Sequence, residues 1–105
     1  MPSNMWSPGA WTIAPQLREA TILIVEDEAF LRQAVSKIIR KAGLSAIEAA
    51  DGSAALDVIR ADRHIDVLLL DISLPGASSR EVFEEASRLG PDMKVIVTSA
   101  YTKPE

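Results

Sequence analysis

The stretch HIDVLLLDISLPG, residues 64–76, decides how this chain is read. Val67 to Leu70, with Ile65 just upstream, form an apolar run with no alternation, as expected of a strand covered on both faces. The run leads straight into Asp71, and Pro75-Gly76 then turns the chain. A buried strand sheds its charges, so an acid placed directly on its end needs a reason. A second run, TILIVEDE at residues 21–28, raises the same question by ending in Glu26, Asp27 and Glu28.

Between and beyond these runs the pattern alternates. In AFLRQAVSKIIRKAG, residues 29–43, the residues Leu31, Ala34, Val35, Ile38, Ile39 and Ala42 make one apolar helical stripe. Arg32, Gln33, Ser36, Lys37, Arg40 and Lys41 fall outside it, and basic residues followed by Gly43 mark the stop. LSAIEAA reads as a weaker strand, Asp51-Gly52 as a turn, and SAALDVIRA as a short helix burying Ala55, Val58 and Ile59. After Pro75-Gly76, SREVFEEASRLG puts Val82, Phe83, Ala86 and Leu89 on one helical face, Gly90-Pro91 ends it, and MKVIVTSA is a fourth strand. The order β-α-β-α-β-α-β implies an α/β fold, a parallel sheet with helices on both sides and right-handed crossovers.

Residues 1 to about 20 differ in character, holding three of the six prolines and both tryptophans without a clear period. They read as an arm or linker, with the domain proper over residues 21–105; docking of Trp6 and Trp11 on an apolar surface is the sharper alternative. At 48% hydrophobic and 25% charged, the 105 residues suffice for one small globular domain. A net charge of -4 gives no electrostatic footprint for nucleic acid. There is no Cys for a disulfide or a thiolate metal site, no apolar run long enough for a membrane span and no signal-peptide pattern, so a cytoplasmic location is expected.

Ligands of open parallel sheets bind beyond the carboxyl ends of the strands, where both acid groups fall. If the first and third strands are neighbours, Glu26, Asp27 and Asp71 converge. Close carboxylates raise one another's pKa unless a positive charge intervenes. An oxygen-only site of this kind suits a hard cation such as Mg²⁺. Glu28 reads instead as an acid at the positive end of the following helix.

ILIVEDE, LLLDISLPG and VIVTSA, at three successive strand ends and with Ser99 lying 28 residues after Asp71, together resemble the receiver domain of two-component response regulators. The resemblance covers Thr21 to Glu105 and implies a flavodoxin-like, doubly wound parallel sheet of strand order 2-1-3-4. The family's fifth strand and last two helices would be missing. It also implies a phosphoacceptor and not an enzyme: Asp71 would take a phosphoryl group from a sensor histidine kinase or phosphotransfer protein. Mg²⁺ would be held by Asp27, Asp71 and the backbone carbonyl of Ser73, with Glu26 acting through water. Ser99 would be the switch hydroxyl, and Tyr101 either a switch aromatic or a capping ring.

The sequence departs from the family in three places. Glu26 stands for the usual Asp. Ser79 stands for the usual Gly and reads as a helix N-cap. The Lys that contacts the phosphoryl group in the family has no counterpart, because Lys103 follows Ser99 by only four residues. Without a further strand, the fourth strand would be a bare edge, favouring self-association through it or cover by the AWTIA segment of the arm.

Other side chains take ordinary readings. His64, the single histidine, reads as a solvated loop residue and not a phosphodonor. Thr98 points away from Ser99 by strand alternation, and Asp57, Asp62 and Asp66 read as surface charges. Two competing functions are a non-phosphorylated interaction module and a phosphohydrolase. The latter would want an acid two residues after Asp71, where Ser73 stands.

Overall fold

The computed structural model describes residues 20–61, 64–74 and 79–98. Within them the order is β1 (Thr21–Val25), α1 (Ala29–Lys41), β2 (Ser45–Ala49), α2 (Gly52–Arg60), β3 (Val67–Asp71), α3 (Ser79–Leu89) and β4 (Lys94–Thr98). The strands form one parallel sheet of order β2-β1-β3-β4. This is the parallel sheet expected from the alternation, in the flavodoxin-like strand order that the resemblance implied, with β1 and β3 side by side at its centre. The proposed arm with Trp6 and Trp11, the Pro75-Gly76 turn, Asp62, Ser99, Tyr101 and Lys103 lie outside the described residues.

Strand alternation divides the core into two layers. Leu23 and Val25 of β1, Ala49 of β2 and Leu68 and Leu70 of β3 face α2 and α3, where they pack with Ala55, Leu56, Ile59, Val82 and Ala86. Ile22 and Ile24 face the other way, towards Ile39 of α1, with Val35, Leu44, Val67 and Leu69 packed around them. Leu23, Val25, Leu68, Leu70 and Val82 are fully buried. Each contributes roughly 1.5–3 kcal/mol by leaving water, which makes the α2/α3 layer the stronger half of the core.

The ends of the elements follow local chemistry. Gly43, at φ 91°, ends α1: its N–H donates to Arg40 O at 3.0 Å and the Leu44 N–H to Ile39 O at 3.2 Å. That pairing satisfies carbonyls the helix would otherwise leave open, in a conformation that favours glycine. Asp51 does more than turn the chain, because its Oδ1 accepts the Ala54 N–H at 2.8 Å and caps α2. Glu85 on α3 takes hydrogen bonds from Arg60 of α2 and from Arg88, which hold its carboxyl below the ordinary range and lace the two helices together.

Several side chains depart from the periodic reading. On α1, Ile38 is 69% exposed while Ser36, placed outside the stripe, is buried. Among the described residues the helix packs mainly on β1 and β2, so the apolar stripe is covered along one flank. On α2 the buried set includes Leu56 as well as Ala55 and Ile59, with Val58 only partly buried. On α3, Val82 and Ala86 are buried but Phe83 and Leu89 are about half exposed. The contact of α3 with α2 and β3 is one narrow strip. β3 itself is fully covered only on the α2/α3 side, since Leu68 and Leu70 are buried and Val67 and Leu69 are not. β4 is an edge among the described residues, and its Ile96 and Val97 are half exposed.

Candidate functional site

Register brings the acids together. Val25 pairs with Leu70 across β1 and β3, so the next residues along, Glu26 and Asp71, come side by side at the carboxyl end of the sheet. The ladder carries on past both strand ends: the Glu26 N–H donates to Ala49 O, and the Ile72 N–H to Thr98 O, each at 3.1 Å. Asp27 follows where the chain leaves β1 for α1. Carboxylate oxygens of Glu26, Asp27 and Asp71 lie within 4.8 Å of one another. Glu26 and Asp71 are buried, at 7% and 5% exposure, and Asp27 is the more open of the three.

Two carboxylates so buried and so close repel unless a cation or proton intervenes. The donor set is oxygen only, so the three acids could hold a hard metal ion. Short bonds fix the individual groups. Oδ1 of Asp71 accepts the Ser73 N–H at 2.9 Å and the Ser73 hydroxyl at 2.8 Å. Oε2 of Glu26 accepts the Glu28 N–H at 2.9 Å. Glu28 is exposed at the N-cap of α1, and its side chain makes no cap hydrogen bond to the helix.

Three residues play parts that sequence reasoning did not give them. Arg32, assigned to the solvent face of α1, turns inward: its Nη1 donates to Glu26 O at 2.9 Å and its Nε to Glu48 Oε1 at 3.1 Å. A glutamate following Ala46 and Ile47 in β2 was the available signal, because such an acid wants a cation nearby. Ser79, expected as an N-cap, is instead the first residue of α3, and its hydroxyl donates to Asp71 O at 2.7 Å. Ser73, expected to offer only its backbone carbonyl, also reaches Asp71 through its hydroxyl.

At the opposite end of the sheet, Asp66 is no mere surface charge. Its Oδ2 accepts the Thr21 N–H at 2.7 Å, and Oδ1 lies 2.7 Å from His64 Nε2. The Thr21 N–H, and secondarily His64, hold its carboxyl below the ordinary value of 3.8 despite an opposing desolvation effect. His64 itself is exposed, as expected of a loop residue. A cavity of about 550 Å³ opens beside this pair, lined by residues that include Ile59, Arg60, Gly90 and Met93. It lies a full strand length from the three acids, and its mixed lining gathers no convergent catalytic groups.

Comparison with known proteins agrees with this geometry. The family model described as the response regulator receiver domain matches residues 22–105. The chain is 32% identical over 80 residues to sporulation initiation phosphotransferase F of Bacillus subtilis, covering 76% of this chain and 64% of that protein. It is 35% identical over 85 residues to a cyclic di-GMP phosphodiesterase of Thermotoga maritima, covering 81% of this chain but 22% of that one. The matched region is thus about two thirds of a small relative and a fraction of a larger enzyme.

Among solved structures, the response regulator TrrA of Thermotoga maritima in complex with Mg(2+)-BeF superposes with a TM-score of 0.71 at 31% identity, covering 79% of this chain and 71% of that one. TrrA in complex with histidine kinase ThkA superposes with a TM-score of 0.70 at 31% identity, covering 80% and 72%. No helix among the described residues is long and apolar enough to cross a membrane. With a four-stranded 2-1-3-4 sheet, acids converging at the ends of β1 and β3, and a family match across most of its length, the chain belongs to the response regulator receiver domain family.

Proposed function

We propose that this domain is a phosphoacceptor of two-component signalling, taking a phosphoryl group onto Asp71 with Mg²⁺ bound beside it. The observation that carries the reading is the convergence of three carboxylates within 4.8 Å, two of them buried, at the carboxyl ends of neighbouring parallel strands. A structural acid is normally met by donors and kept away from other acids. Buried carboxylates brought together call for a cation, and oxygen donors favour Mg²⁺.

Asp27 and Asp71, with the carbonyl of Ser73, would hold the ion directly, and Glu26 would act through a water. When bound, Mg²⁺ supplies positive charge that offsets repulsion between an anionic nucleophile and an anionic phosphoryl group. An Asp71 carboxylate oxygen attacks phosphorus, the P–N bond to the donor histidine breaks, and the imidazole leaves with the bonding pair. The product is an acyl phosphate on Asp71. The two hydrogen bonds from Ser73 to Oδ1 orient the carboxylate before attack. Ser99 and Tyr101 would read out the new oxygens as switch residues.

The phosphodonor is a sensor histidine kinase or a phosphotransfer protein, in line with the TrrA complex and the sporulation phosphotransferase. Phe30, 88% exposed in the first turn of α1 and three residues beyond Asp27, gives such a partner an apolar contact beside the acceptor. The chain works as a signalling module in this reading, with any enzymatic output supplied elsewhere. Residues 1 to about 20 act as its arm and 21–105 as the receiver.

Intact-mass measurement after incubation with acetyl phosphate and Mg²⁺ tests the proposal. One added phosphoryl group is expected on the wild type and none on Asp71→Asn. Mg²⁺ binding without phosphoryl uptake would favour a non-phosphorylated interaction module instead.

A further inference from the structure

Each acid-bearing strand end is held by a side chain from the helix that follows it. Nη1 of Arg32, on α1, donates to the carbonyl of Glu26 at 2.9 Å, while its Nε is engaged by Glu48 of β2 at 3.1 Å. The hydroxyl of Ser79, at the start of α3, donates to the carbonyl of Asp71 at 2.7 Å. In both loops the acceptor is the backbone oxygen of the residue whose carboxylate enters the cluster. Ladder bonds hold the adjoining backbone N–H groups, that of Glu26 itself at β1 and that of Ile72, in the same peptide as the Asp71 carbonyl, at β3.

We infer that Arg32 and Ser79 are positioning residues of the acidic pocket, fixing the two strand ends so that their carboxylates stay converged and thereby setting its affinity for a divalent cation. The inference rests on the cation-binding reading above.

The physical argument concerns what the carboxylates would do alone. Mutual repulsion favours loops that drift apart, and a cation would then have to draw them back at a cost in affinity. Side chains that hold both backbones beforehand remove that cost. The Arg32 side chain is 15% exposed and spans three elements, α1, the end of β1 and β2. Its planar fork donates to a carbonyl and a carboxylate at once, which a lysine at the same place cannot reproduce. Ser79 acts over a shorter reach and needs only its hydroxyl.

Calorimetric titration of the full chain with MgCl₂ tests this, alongside thermal unfolding without Mg²⁺ and phosphoryl uptake from acetyl phosphate at varied Mg²⁺. Arg32→Ala and Ser79→Ala should each weaken Mg²⁺ binding about tenfold, the scale seen when groups supporting metal ligands are removed. Ser79→Thr should restore the affinity and Arg32→Lys should not. In phosphoryl uptake, the half-saturating Mg²⁺ concentration should rise in step with the loss of affinity seen by calorimetry. If Arg32→Ala does not fold, the Ser79→Ala and Ser79→Thr pair decides.

Variants that lower the unfolding midpoint while keeping wild-type Mg²⁺ affinity would overturn the inference and leave both residues as ordinary structural bonds. A wild-type chain that binds no Mg²⁺ would overturn the underlying reading as well.

Discussion

The two ends of the central strands use acids in opposite ways. At the amino end, Asp66 sits next to β3 and is met by a backbone N–H of β1 and by His64, and its own carbonyl accepts the Lys94 N–H of β4 at 2.9 Å. One acid there ties three strands. At the carboxyl end, Glu26, Asp27 and Asp71 are brought within 4.8 Å of each other. A charge beside a strand is therefore no sign of chemistry by itself. Like charges gathered against their own repulsion are, because the fold must spend stability to keep them there unless a ligand offsets it.

The largest effect that separates the ends is expected from Asp71→Asn. Phosphoryl uptake should vanish, while Mg²⁺-free thermal stability should hold or rise as repulsion is relieved. Mg²⁺ should raise the unfolding temperature of the wild type by mass action and leave the variant's nearly unchanged. Scanning fluorimetry with and without Mg²⁺ checks this, and equal Mg²⁺ shifts would break the contrast.

Next comes Leu68→Ala, near the start of β3 and fully buried, which should cost roughly 2–5 kcal/mol in urea unfolding. That loss should disable both ends together, because β3 joins Asp66, just before it, to Asp71 at its end.

Asp66→Ala should cost roughly 0.5–1 kcal/mol near neutral pH, less than is usual for bonds to a charged acceptor because its side chain is a third exposed and water screens it. Mg²⁺ affinity should not move. The sign of its pH dependence follows from the depressed folded pKa. The contribution is complete above the unfolded value near 3.8 and is lost as pH falls through the lower folded value. Acid unfolding curves of wild type and variant should therefore converge at the acid end. A gap that widened on acidification would contradict the role given to Asp66.

The smallest effect belongs to a position between the ends. The Ser36 hydroxyl is buried in α1 and has no hydrogen-bond partner among the described residues. Ser36→Ala should stabilise by a few tenths to about 1 kcal/mol, leaving uptake and Mg²⁺ binding unchanged.

Much of this was legible in the sequence because it was local. Apolar runs and 3.6-residue periodicity marked every described strand and helix, and acids at two strand ends marked the pocket once the strands were neighbours. What escaped depended on tertiary partners. Asp66 looked like a surface charge because its donor, Thr21, lies 45 residues away. Arg32 looked solvated because a helical period places a Cβ and not the end of a long guanidinium side chain. Ile38 and Ser36 exchanged expected roles because periodicity tells which residues share a flank, and only packing tells which flank is covered. Ser79 was recognised as a polar start to α3, but the direction of its hydroxyl depended on where β3 ended.

The most direct test of the central claim is to locate the phosphoryl group chemically. Borohydride reduces an aspartyl phosphate to homoserine, so chain treated with acetyl phosphate and Mg²⁺, then reduced and sequenced by mass spectrometry, should carry homoserine at position 71 and nowhere else. Conversion at Asp27, or none at all in Mg²⁺-loaded protein, would contradict the assignment of Asp71 as the acceptor.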